Sequence, residues 1–145
     1  MIMDLTTLFS NAQAVTATTA STNSIDLGAP GTVFGAAAPI TRDIGRGASV
    51  PLALRVVESF NNLTSLTVSI EVDDTAAFSS PVTVFTSPAY SLADLQTGAV
   101  RQLLPDSIPI GANERFIRLR YTPAGTAPTT GKVTAGVTMG NQTNV

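Results

Sequence analysis

The chain has 145 residues and 14.9 kDa, enough for one domain with a real core. It contains no His, Cys or Trp, which excludes disulfide frameworks, zinc sites built from Cys or His, Cys nucleophiles and Ser-His-Asp triads, and leaves only carboxylate, Lys or Arg chemistry. Charged residues make up 12% of the chain, with a net charge of −2 and a pI near 4.8, against ~25% charged in an average soluble protein; the field needed for non-specific nucleic-acid binding is absent.

Eight basic and ten acidic side chains must wet the roughly 7,000 Å² that a monomer of this mass exposes. A surface so poor in charge suits packing against other protein, because interface cores are depleted in charged groups.

The start Met1-Ile2-Met3-Asp4 has no basic region followed by an apolar run, so no secretory leader is expected. No residue between Asp4 and Asp26 is charged, yet Thr16, Thr18, Thr19, Ser21, Thr22, Asn23 and Ser24 make this stretch too polar for a membrane span. Residues 1–28 read as an extended N-terminal arm or weak edge strands, with a turn or two possible in Asp4–Phe9. Fully stretched, Asp4–Gly28 covers roughly 80 Å, enough to reach a neighbouring subunit; the alternative is a tail followed by an ordinary first strand. Residues 29–145 read as a single β-sandwich domain. Its first segment, Ala29–Ser49, is punctuated by Ala29-Pro30-Gly31, Ala38-Pro39 and Gly45-Arg46-Gly47 and is expected to be loop.

Beyond it the hydrophobic period is two. Val50–Phe60 puts Leu52, Leu54 and Val56 on one face, and Thr64–Asp73 alternates Leu66, Val68, Ile70 and Val72 with Thr67, Ser69, Glu71 and Asp73. The short Asn61-Asn62-Leu63 link predicts an antiparallel hairpin between them. Pro81–Thr86 is a further strand, and Ser91–Asp94 carries a capping-box pattern for one helical turn ended by Gly98. Val100–Leu104, Arg115–Thr122 and Lys132–Met139 complete the set, the second with Ile117, Leu119 and Tyr121 on one face and Phe116, Arg118 and Arg120 on the other. In the last, Val133, Ala135, Val137 and Met139 are expected to point together. Short strands at this spacing, with no long helix, predict an all-β antiparallel sandwich, jelly roll or barrel.

Few residues could carry chemistry. Glu71 and Asp73 share a strand face and Asp74 follows, the arrangement an acid/base pair or a hard cation needs, but no further oxygen-rich motif accompanies them and a solvated strand end is the plainer reading. Arg118 and Arg120 beside Phe116 could form a pad for a partner's carboxylate, or pair internally with Glu71 or Asp73. Gly45-Arg46-Gly47 lacks the spacing and the Lys-Ser/Thr of a phosphate loop. Asn62-Leu63-Thr64 and Asn141-Gln142-Thr143 match the glycosylation pattern, as expected by chance in a Thr-rich chain without a leader. No enzyme, cofactor or metal site is expected.

The stretches DLTTLFSNAQAVTATTASTNSIDLG (Asp4–Gly28), RDIGRG (Arg42–Gly47), VDDTAAFSSPVTV (Val72–Val84) and GANERFIRLRYTPAGTAPTTGKVTAGV (Gly111–Val137) run in one order across nearly the whole chain. In combination they resemble the capsid cement (decoration) proteins of tailed phage heads, of the Bordetella-phage type. That resemblance implies a jelly-roll fold, no catalysis, and a place on the outer surface of the head, after synthesis in the bacterial host cytoplasm. The partners it implies are a major capsid protein of HK97-type fold and further copies of the chain itself, as a dimer or trimer, with no nucleic acid and no membrane. The expected contacts are Asp4, Leu5, Leu8, Phe9, Val15 and Ile25 along the arm, Arg42 and Arg46 in the loop, and Phe116, Arg118 and Arg120 on the late strand. The competing expectation is a β-domain of a phage tail, baseplate or carbohydrate receptor-binding protein, although only Tyr90 and Tyr121 could serve as sugar platforms.

Overall fold

The computed structural model describes residues 2–99 and 102–141. Among these residues nine strands form: β1 (Met3–Ala14), β2 (Thr19–Ala20), β3 (Ile25–Asp26), β4 (Leu52–Glu58), β5 (Leu63–Asp73), β6 (Val82–Thr86), β7 (Tyr90–Ser91), β8 (Phe116–Gly125) and β9 (Lys132–Thr138). All pairings are antiparallel, and they build two sheets, β1-β9-β4 and β2-β8-β5-β6, with β3 also on β8 and β7 also on β5.

The alternation read from the sequence decides which faces meet. Leu52 and Leu54 of one sheet and Leu66, Val68, Ile70, Val72, Ile117, Leu119 and Tyr121 of the other are fully buried in a single core, as a two-layer sandwich requires. Segment 106–108 lies along the outer side of β4, through a Pro51–Ser107 bridge and bonds from Leu52 N to Asp106 O and from Ile108 N to Val50 O. Counting it as a fourth position, and taking β2 with β3 and β6 with β7 as one edge position each, the chain crosses between layers at every link except the one from β5 to β6, which is the jelly-roll path.

Three expectations are corrected. Val50–Phe60 and Thr64–Asp73 do not form a hairpin: β4 pairs with β9 in one sheet and β5 with β8 in the other. The Asn61 side chain stabilises that crossover by accepting from Thr129 N (2.8 Å) and Thr130 N (3.0 Å), and Asn62 takes the left-handed conformation (φ 63) of the turn. Of the strand expected at Val100–Leu104, residues 100 and 101 lie outside the described residues, and 102–104 are loop whose Leu103 and Leu104 fill the core. Met139 lies beyond β9 and is 84% exposed, so it does not join Val133 and Ala135. The helical turn at Leu92–Leu95 forms, capped by Ser91 and Asp94, and ends at Gln96, before Gly98.

The segment expected as an arm is extended, but it is laid on its own domain. β1 pairs with β9, and β2 and β3 pair with β8, so residues 2–28 supply an edge to each sheet and form one sandwich with the later strands. Phe9 and Val15 are fully buried, and Ser10 Oγ lies 2.7 Å from the Tyr121 hydroxyl across the core. The reason lies in the local pattern: Leu8, Phe9 and Val15 are large apolar groups on an edge that Gly136 leaves open. A Cβ at Gly136 would stand 2.9 Å from Leu8 Cδ2 and from Thr7 O, so only glycine admits β1 this close.

Short links set the ends of the sandwich. Residues 15–18 between β1 and β2 and 59–62 between β4 and β5 join the layers at one end, the link end. Met3, Leu52 and Thr138 of one sheet, and Asp26, Asp73, Val82 and Phe116 of the other, meet at the opposite, open end.

Phe9→Ala is expected to cost about 3–5 kcal/mol of stability, whereas Phe34→Ala, in the fully exposed Ala29–Thr41 loop, should change it by less than about 0.5 kcal/mol. Urea unfolding followed by Tyr fluorescence measures both; equal effects would refute the assignment of β1 to the core.

Candidate functional site

The Arg-bearing face of β8 is the first candidate, and its charges are occupied. Register places Arg118 opposite Glu71 and Arg120 opposite Ser69. Arg118 Nε donates to Glu71 Oε2 at 2.7 Å, Arg120 Nε donates to Glu71 Oε1, and the Arg118 guanidinium stacks over the Phe78 ring at 4.0 Å. Phe78 holds a left-handed backbone (φ 50), uncommon for an aromatic residue, and that conformation sets its ring under Arg118. Phe116 stacks with Arg115 instead of Arg118. The internal pairing is therefore what forms, and the carboxylate such a pad would bind is the chain's own.

Burial alone pushes the Glu71 carboxyl up, but hydrogen bonds from Arg120 and Arg118 outweigh it and leave it below the usual carboxylate range. Asp73 is held down to about 2, first by the Thr75 amide against the opposing effect of burial, then by Ser80 N and the Thr75 hydroxyl. Both acids are structural: one clamps two arginines and the other closes the Asp73–Ser80 turn. Among the described residues no group of three acidic side chains is placed to hold a metal ion.

The expected contacts divide accordingly. Leu8, Phe9 and Val15 are buried in the core and are not contact residues, because β1 turns them inward. Asp4 is exposed and bonded to Thr6, Leu5 is 74% exposed, and Ile25 is half-buried against the core. Arg42 Nη1 donates to Leu27 O (2.7 Å) and Nη2 to Glu114 O (3.3 Å), so it clamps the two feet of the Ala29–Thr41 loop to the start of β8. Asp43 accepts from Gly45 N and Gly111 N, both at 3.0 Å, and from Arg46 Nε at 3.2 Å. Arg42, Asp43 and Arg46, with Thr41, Gly47 and Asn113, line a recess of about 540 Å³.

What sequence reading missed is apolar. Of the nine large hydrophobic residues exposed among the described residues, seven lie at the open end: Ile2, Val33, Phe34, Ile40, Val82, Ile110 and Met139. Phe34 is wholly exposed at the tip of a loop that has no charge from Leu27 to Thr41. Around these groups stand Asp43–Arg46 and the bidentate Asp26–Arg115 pair (2.9 and 2.7 Å). Exposed apolar side chains gathered near internally paired charges are a feature that protein-binding surfaces share. Beside it, Ile2, Met3, Thr7, Val137 and Met139 line a largely apolar pocket of about 280 Å³, with Asp4 its one charged lining residue. The signal was in the sequence, as fifteen uncharged residues bracketed by Asp26 and Arg42.

A family model for Bbp16 matches residues 9–137, from β1 to the end of β9. The chain belongs to the Bbp16 family. This is a family of Bordetella phage proteins, and membership makes the chain a phage-related structural protein. No curated protein matches it. The Bbp16 match takes in the Ala29–Thr41 loop, the Glu71 clamp and both arginines, while Ile2, Met3 and Met139 of the apolar pocket lie outside it. No helix among its described residues is long and apolar enough to cross a membrane.

Glu71→Gln is expected to lower stability at neutral pH by about 2 kcal/mol, since it leaves two arginines facing a neutral amide. Because the folded carboxyl titrates below its unfolded value, Glu71 contributes fully above the ordinary carboxylate range and loses its contribution as pH falls through the folded value. Denaturation curves between pH 7 and pH 3 should therefore converge for wild type and Glu71→Gln; parallel curves would contradict the clamp.

Proposed function

We propose that this Bbp16-family protein is a non-catalytic cement protein. It binds the outer surface of a tailed-phage head and stabilises the shell by bridging neighbouring subunits of a major capsid protein with the HK97-type fold. The observation that carries this reading is the distribution of surface groups: exposed apolar side chains gather at one end, while Glu71 and Asp73 are spent inside the domain and Asp26 and Asp43 in the rim. A protein partner covers such an end, whereas a polyanion gains nothing from it.

Energetics fit a repeating lattice. One apolar end is a modest contact, but many copies on a shell that presents the same site at each repeat gain avidity without new chemistry. The carboxylates and arginines of the clamp and the rim hold strands and turns together, so a scaffolding role accounts for them and a catalytic one does not.

Ile110, 62% exposed beside the Asp43 recess, gives the test. Purified protein should co-sediment with heads assembled without it and raise the temperature at which those heads rupture. Ile110→Asp should weaken co-sedimentation roughly tenfold or more with an unchanged melting temperature of the free protein. Failure of the wild-type protein to co-sediment would overturn the cement reading, and binding on a glycan array would replace it with a receptor-binding one.

A further inference from the structure

The sheet edges of this sandwich are closed in different ways, and one is left open. The free side of β1 is capped where Asn23 donates from its backbone to Phe9 O (2.9 Å) and from its side chain to Leu8 O (3.3 Å). β2 and β3 are two residues each, and segment 106–108 on the outer side of β4 lies between Pro105 and Pro109. β6 has none of this protection. Its sequence Val-Thr-Val-Phe-Thr carries no charge, proline or glycine, and its only strand partner is β5. Among the described residues no further hydrogen bond reaches Val82–Thr86 from the side away from β5. Natural sheets blunt such edges with charge or proline, because a row of unpaired N–H and C=O groups is a template for another strand.

We propose that the free edge of β6 is a strand-addition site, which takes an extended segment of the major capsid protein as a further strand of the second sheet. The inference rests on the cement reading and names the mode of contact within it.

The ladder shows which backbone groups receive the segment. Ser87 N donates to Val68 O at 2.9 Å, and the register sets Thr86 opposite Ser69. Inward and outward pairs alternate along an antiparallel strand, so the N–H and C=O of Thr86 point away from β5. Thr86 is exposed, and nothing in its own chain bonds those two groups. Main-chain bonds from such a position supply affinity without charge, which suits a chain so poor in charged groups.

Place and shape favour a capsid segment over a second copy. β6 begins at Val82, one of the exposed apolar groups of the open end, and a Cβ at Gly111 would stand 3.5 Å from Val84 Cγ1. The edge therefore adjoins Ile110 and continues the face assigned to the capsid. Val84 is the extra residue of a bulge, since Phe85 pairs with Ile70 but Thr83 with Glu71. A bulge bends its strand. Two β6 edges laid together would set one bend against another, whereas a single extended segment with no sheet of its own follows the bend. With no charge on the edge to match, the fitting segment is itself uncharged and rich in β-branched residues.

Hydrogen–deuterium exchange of the full chain, free and bound to heads assembled without it, tests this together with co-sedimentation. Exchange in Val82–Ser87 should slow about tenfold or more on binding. Thr86→Pro removes the outward N–H and leaves the β5 ladder intact, a place where an edge strand tolerates proline; it should weaken co-sedimentation roughly tenfold at an unchanged melting temperature. Thr86→Val, which alters only the side chain, should bind within a few-fold of wild type. If Thr86→Pro melts lower, Thr86→Lys, which charges the edge without altering the backbone, serves in its place with the same expected loss. Wild type that binds heads with no slowing in Val82–Ser87, or a Thr86→Pro variant that binds like wild type, would overturn the strand-addition site and leave the cement reading standing. Wild type that does not bind heads would overturn both. A free wild-type dimer that Thr86→Pro dissociates would give the edge to a second copy and overturn the proposal.

Discussion

Tyr121 ties the two layers of this sandwich together. Its ring is the largest fully buried side chain, and its hydroxyl reaches Ser10 Oγ at 2.7 Å on a strand from the other sheet. Burial keeps the phenol protonated far above its ordinary range, against a smaller opposing effect of Ser10. Ser10 in turn bonds Gln13 Oε1, and Gln13 bonds Ala20 O and Thr22 N, which fixes the crossing from β1 to β2. Without that contact the Tyr121 hydroxyl would be buried without a partner, and the first quarter of the chain would have a weaker hold on the core. With it, the quarter is part of the sandwich.

A chain with so few charges must choose where to spend them. Here Glu71 holds Arg118 and Arg120 and Glu58 holds Lys132 at 2.6 Å, tying one strand to another, and Asp26 of β3 holds Arg115 just before β8. Glu58 and Asp26 are also drawn below the ordinary carboxylate range, by Lys132 and by Arg115 respectively, Asp26 to about 2. The charges thus serve the fold, and what is left uncharged is the Ala29–Thr41 loop and the pocket wall at Met139. Scarcity of charge and exposure of apolar groups are therefore one fact seen in two places.

Much of this was legible. Period-two alternation in Leu66–Val72 and Ile117–Tyr121 predicted the inward faces correctly, because burial on one side of a strand leaves a pattern that neighbours cannot disguise. Pairing was less legible: the short Asn61-Asn62 link looks like a hairpin turn, but in a jelly roll a link of that length also steps between layers, and only the partners β8 and β9 decide which. A deficit of charge suits covered surface, but composition does not say which segment carries it. Both Asp4–Asp26 and Asp26–Arg42 bracket uncharged runs, and composition alone does not separate them. What separates them is backbone: Leu8, Phe9 and Val15 sit in chain that can pair along its length, while Pro30, Gly31, Gly35 and Pro39 interrupt any ladder in the second run and leave its apolar groups outside.

That difference also explains why the exposed loop can be tolerated. Val33, Phe34 and Ile40 contribute nothing to the core, so the domain's stability does not depend on them, and the loop can vary at little cost to folding. β1 has no such freedom, since Phe9 and Tyr121 share the core and Gly136 must stay small for Leu8 to approach. Alternating apolar residues and internal ion pairs hold the sandwich, and a short, neutral loop closed by its own backbone bonds stands outside it.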